Sequence, residues 1–192
     1  MSEDTNPPCA DVARVTSFVT AGVLNTTQQL VQGVMNDIEG AESDLVVEET
    51  LCLVATATSR AMTVGLRKEP TAAQVVPSAL LELPFTYRDY LIGSAMVAQD
   101  APDLAAQSEE VYERLQRKLQ FYTTHLPAGQ FPGEHALGDV LPLWMGRVSP
   151  PRLPETPDER LEKLDFDAVL LTHLKLALAY GRQGDVPGGG DA

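Results

Sequence analysis

Lysine is scarce in this chain. Only Lys68, Lys118, Lys163 and Lys175 occur, against ten arginines. Set beside 27 acidic residues, these bases leave a formal net charge of −13. A field of that sign repels phosphate backbones and anionic lipid headgroups at long range. Nucleic acid and membrane surfaces are therefore not expected partners. The acids are dispersed along the chain rather than collected in a tail, as on a solvated surface. A high-salt cytoplasm that screens self-repulsion fits this bias, and GC-rich coding fits the lysine-to-arginine ratio equally well.

Cysteine is nearly missing. Cys9 and Cys52 form neither a disulfide framework nor a C-x-x-C motif. Cys52 falls in an apolar helical run and is expected to pack as a small hydrophobe. No uninterrupted apolar stretch reaches the roughly 18 residues of a bilayer span, and no charged-then-apolar leader is visible. The expected location is cytoplasmic. No serine lies in a G-x-S-x-G elbow. Phosphate-binding glycine loops, H-E-x-x-H and paired E-x-x-H helices are missing too. Gly188–Gly190 stand in for none of these, having no strand or helix to frame them. The sequence nominates no catalytic residue, metal site or cofactor.

What the sequence does have is helical periodicity. In 103–126, Leu104, Val111, Leu115, Leu119, Tyr122 and Leu126 share one face. Glu109, Glu110, Glu113, Arg114, Arg117 and Lys118 hold the other, which predicts an amphipathic helix docked on a core. A first helix is predicted over 9–38, ended by Gly40 in a left-handed conformation. A second covers 44–67, with Ser43 as its N-cap. Its run LCLVATATSRAMTVG is apolar or small on nearly every side, which places it centrally. Thr71 and Gln74 predict a capping box for a third helix that Pro77 kinks or shortens. Pro84 separates it from a fourth, over 86–99.

Residues 127–157 hold seven prolines, yet also Phe131, Leu137, Val140, Leu141, Leu143, Trp144, Met145 and Val148. Such an apolar set is costly to expose. An ordered, wrapping segment with one short helix near 134–146 is expected. Thr156, Pro157 and Glu159 then predict an N-cap, a proline at the first helical position and a capping-box acid, opening a last helix that runs to about 181. Residues 1–8 and 184–192 are expected to be disordered tails around a single domain, 9–183. The predicted fold is all-α, a bundle of six or seven helices with the ordered proline-rich segment before the last long helix. At 192 residues such a domain can bury roughly 70% of its unfolded surface, so it needs no metal or disulfide staple.

Three readings of function follow. The first is a non-catalytic helical protein that binds other protein chains or itself as a homo-oligomer. It rests on the missing catalytic motifs and on helices apolar enough to suggest shared burial. Its interface candidates are Tyr87, Tyr90, Phe131, Trp144 and Met145, because large amphipathic side chains dominate interface energetics. The second is a sensor-like protein with an apolar pocket for a small molecule, lined by Glu49, Trp144, His173 and Tyr180. The third and weakest is a hydrolase or metalloenzyme using Glu48 or Glu49 with His135. His135 and Asp139, four apart, can face one ion, but the chain offers no further ligand pair. A buried Glu48 or Glu49 requires a partner, for which Arg60, Arg67, Arg88 and His173 are the candidates.

Overall fold

A computed structural model describes residues 12–98, 104–150 and 156–183. The expected tails, 1–8 and 184–192, lie outside the described residues. Among the described residues there are seven helices: α1 (Val12–Asp37), α2 (Ser43–Gly65), α3 (Pro70–Ala98), α4 (Leu104–His125), α5 (Glu134–Val148), α6 (Pro157–Leu164) and α7 (Phe166–Gln183). The fold is all-α. No helix among the described residues is long and apolar enough to cross a membrane.

The core forms around α2. Every residue from Leu51 to Ser59 is buried, and α1, α3, α4, α5 and α7 all pack on this helix. A helix apolar on all sides has to be covered on all sides, and here one chain supplies the whole cover. The small residues set how close the neighbours come. A Cβ on Gly65 would sit 3.0 Å from the Leu178 carbonyl oxygen, and one on Gly181 would sit 3.2 Å from Gly65 Cα. Two glycines thus let α2 and α7 touch backbone to backbone.

Three helix boundaries differ from expectation. The N-cap of α2 is Glu42, without a side-chain cap, and Ser43 is already helical. The two helices predicted on either side of Pro84 are one, α3, which starts at Pro70 rather than at a Thr71 capping box. Pro77 and Pro84 are seven residues apart, two turns, so both missing N–H groups fall on one stripe, and both prolines are buried. Ala72, Val76 and Leu80 are buried beside them, and the Pro77 carbonyl accepts a 3.0 Å hydrogen bond from Ser59 Oγ of α2. Packing of that stripe outweighs the two lost backbone bonds. The predicted last helix is divided by Asp165, whose φ of 50° is left-handed, a conformation aspartate tolerates better than most residues. The turn sends Phe166 into the core, against the Trp144 ring and over Gly33, where a Cβ would approach the ring to 2.6 Å.

Other local signals hold. Gly40 has φ 77° after α1. Thr156 and Glu159 form the reciprocal capping box at the start of α6, with Pro157 in its first turn. The proline-rich segment is ordered where described. It carries α5, with Leu137, Val140, Leu141, Trp144, Met145 and Val148 buried, while residues 151–155 lie outside the described residues.

Candidate functional site

Three features have chemistry, and the first is buried. Glu48 and Glu49 leave α2 at adjacent angles and meet α4 and α5. Arg114 binds Glu48 through two hydrogen bonds, at 2.9 and 2.6 Å, and Lys118 Nζ adds a third at 2.8 Å. Arg147 binds Glu49 through two bonds of 2.8 Å, the Tyr122 hydroxyl donates to it at 2.7 Å, and Lys118 lies 3.4 Å away. The Arg147 guanidinium also covers the Phe121 ring, 4.5 Å from its centroid. Burial pushes both carboxyls up, but the hydrogen bonds and charges of Arg114, Lys118, Arg147 and Tyr122 outweigh it and hold both below the ordinary carboxylate value. Burial first, and then Glu49, push the Tyr122 phenol well up. The arrangement is a charged staple across three helices. Its carboxylate oxygens are engaged, and Glu49 is only 1% exposed.

The second feature lies on the surface of α3 and α4. The Phe85 and Tyr112 rings pack at 4.9 Å, and the Arg88 guanidinium lies 5.0 Å from the Tyr112 centroid and 5.9 Å from that of Phe85. Arg88 also pairs with Asp89. Tyr90, one turn beyond Thr86, is 70% exposed, and Tyr112 is 44% exposed. Arg88 also borders a cleft of about 160 Å³, together with Asp44, Glu48, Pro84, Tyr87, Val111 and Arg114. Burial, helped by Asp44 and Glu48, raises the Tyr87 phenol.

The third is a groove of about 280 Å³ between α1 and α7, walled by Phe18, Val19, Val169, Leu176 and Ala177, with Asn25, Thr26, Gln29 and Thr172 also lining it. Phe18 stacks on Tyr180 at 4.1 Å. His173 borders the groove, and its Nε2 lies 2.9 Å from Thr58 Oγ1 of α2. Thr58 Oγ1 donates its only hydrogen to the Val54 carbonyl at 2.7 Å. The ring must therefore donate from Nε2, which leaves Nδ1 as an acceptor. Burial lowers His173 to about 4, so the ring is neutral at neutral pH.

The residues expected to share one pocket divide among three places. His173 borders the α1–α7 groove, and Tyr180 reaches it only through its stack on Phe18. Glu49 belongs to the charged staple, and Trp144 is fully buried against Phe166; neither borders the groove. Of the interface candidates, Trp144 and Met145 are core residues with no exposed surface, because α5 turns its apolar stripe inward. Phe131 and Tyr87 are half-buried, and Tyr90 is exposed. The partners expected for Glu48 and Glu49 also differ. Arg60 donates to the Leu126 carbonyl, Arg67 to that of Gly129, and His173 binds Thr58. His135 is solvent-exposed, 3.7 Å from Asp139, and is not among the partners of either glutamate. No metal-binding group of three or more His, Cys, Asp or Glu occurs among the described residues.

Sequence reasoning misses Lys118, Arg114, Arg147, Thr58 and Phe18. The charge pattern of α4 puts Lys118 on the solvent face, yet it is 3% exposed. Its place one turn from Leu115 and Tyr122 is the available signal. No family model, curated protein or solved structure matches the chain.

Proposed function

We propose that this protein acts without catalysis, by binding another protein chain through the α3–α4 face, with a second copy of itself as the first partner to test. The observation that carries the reading is the cluster of Phe85, Arg88 and the exposed Tyr112, with Arg88 bordering a cleft and the exposed Tyr90 farther along the same helix. Tyrosine and arginine are the residues that most often dominate interface energetics, above all beside a pocket that a partner side chain can fill. The acids and bases around the cleft set charge requirements on whatever docks there. The apolar girth of α2 is covered within one chain, so the case for self-association rests on this face alone. A cytoplasmic location is part of the proposal, and the buried, free Cys52 thiol fits it.

Native mass spectrometry of the full chain tests the reading. Support would be a multiple of the 20.7 kDa chain mass that reverts to monomer when Tyr90 and Tyr112 are both changed to alanine. A monomer that also retains no protein partner from its native extract overturns it.

A further inference from the structure

We infer that the α1–α7 groove is a binding site for a small uncharged molecule with an apolar body and a single O–H or N–H donor, such as a phenol, an indole or an alcohol. The donor is seated on His173 Nδ1. This site is separate from the α3–α4 face, and the inference does not depend on the function proposed there.

The hydrogen-bond chain fixes what His173 can recognise. The Val54 carbonyl takes the Thr58 hydrogen, and Thr58 Oγ1 takes the His173 Nε2 hydrogen. One lone pair, on Nδ1, is left at the end of this relay. No donor is bonded to it among the described residues. Gly22 keeps the approach to it open, since a Cβ there would lie 3.4 Å from Nδ1 and 3.0 Å from Cε1. The space of about 280 Å³ is walled largely by apolar side chains, including an exposed Phe18 ring at 52% and Leu176 at 63%. Its size is near the lower end for ligand pockets, and apolar walls with a few polar groups, here His173 with Asn25, Thr26, Gln29 and Thr172, are their usual chemistry.

Charge narrows the class further. None of the residues lining the groove is charged, although the chain as a whole is strongly acidic. A carboxylate or phosphate would find no cation there, and an ammonium would find no anion. The burial that keeps His173 neutral preserves its acceptor at neutral pH. An uncharged molecule is what remains, and the free Nδ1 acceptor selects one that carries a donor.

The test has two parts, both on the full chain. Long-range proton–nitrogen NMR reads the tautomers. His173 is expected to carry its hydrogen on Nε2. His125, whose Nδ1 is 2.8 Å from the Phe121 carbonyl, is expected to show the opposite tautomer and serves as the internal reference. Calorimetry then compares para-ethylphenol with its methyl ether, para-ethylanisole, which has the same apolar body and no donor. The phenol should bind roughly three- to tenfold more tightly, the worth of one neutral hydrogen bond. His173→Phe should abolish that preference while keeping the apolar walls. Thr58→Val, which frees the tautomer without removing the ring, should shrink it, and it decides the matter if His173→Phe does not fold. Gly22→Ala should weaken the phenol more than the ether. Equal affinity of the two probes, no binding of either at millimolar concentration, or a His173 protonated on Nδ1 would each overturn the inference.

Discussion

The Tyr122 hydroxyl donates to Glu49 Oε2 across 2.7 Å, joining two buried side chains 73 residues apart. With Arg147 and Lys118 it completes the set of donors that lets an ionised carboxylate sit in the core between α2, α4 and α5. Replacing a donor and removing a cation should therefore cost different amounts. Tyr122→Phe leaves Glu49 with its cations and should destabilise the fold by about 1–2 kcal/mol. Lys118→Met leaves two neighbouring carboxylates with one cation fewer and should cost roughly 3–5 kcal/mol. Urea unfolding monitored by circular dichroism measures both. A neutral Lys118→Met would mean that the staple does not hold the helices.

Stability should fall in two steps as the solution is acidified. His173 titrates near 6.5 when unfolded and at about 4 in the fold. Between those values the unfolded chain binds the proton and the folded chain does not. The contribution is thus complete above pH 6.5 and is lost as the pH falls toward 4, on the order of 3 kcal/mol in all. Glu48 and Glu49 are held below the ordinary carboxylate value of 4.5, so their contribution is present above it and is lost as the pH drops through their folded values. Denaturation midpoints across this range should show both steps. His173→Gln should remove the upper one and leave the lower. A single step unchanged by that substitution would contradict the assignment.

The contact between α2 and α7 makes a steric prediction. Gly65→Ala places a methyl group 3.0 Å from a backbone oxygen that cannot move without shifting α7. Overpacking of that kind typically costs about 1–3 kcal/mol. Gly138, in α5, is exposed, and a methyl group added there would meet nothing within 4 Å. Gly138→Ala should instead gain about 0.4–1 kcal/mol by restricting the unfolded chain. Thermal melts of the two variants should move in opposite directions, and a shared direction would refute the packing argument.

On the α3–α4 face, binding and folding should separate. Tyr90 is largely in solvent, so Tyr90→Ala should leave stability within about 0.5 kcal/mol. If that face docks a partner, the same change should weaken association by more than about 1 kcal/mol. Sedimentation across a concentration series, read beside a melting curve, tests this. Unaltered association would remove Tyr90 from the interface.

Much of the site chemistry is out of reach of periodicity. Glu48 and Glu49 can be recognised as needing partners, because charges entering an apolar helix need them. Which cations answer depends on where α4 and α5 cross α2. Arg114 and Lys118 read as a polar face because their neighbours are charged. Only the docked position of α4 turns them inward. His173 is legible as a polar residue on an apolar stripe, but its tautomer is set by Thr58 and Val54, more than a hundred residues earlier. Trp144 and Met145 resemble interface anchors because the proline-rich stretch around them gives no indication of which side will be covered.

The sequence alone determined the features that depend on near neighbours: the helical repeat in α1, α2 and α4, the central place of α2, the left-handed Gly40 and the capping box of Thr156 and Glu159. Each is decided within one or two turns, where spacing and backbone preference dominate the free energy. Tertiary structure decided the rest. It carried α3 through Pro77 and Pro84, broke the last helix at Asp165, brought Gly65 against Gly181, and joined Glu48 and Glu49 to Arg114, Lys118 and Arg147. These outcomes arise from burial and desolvation shared among several helices, and those energies exist only once the helices have met.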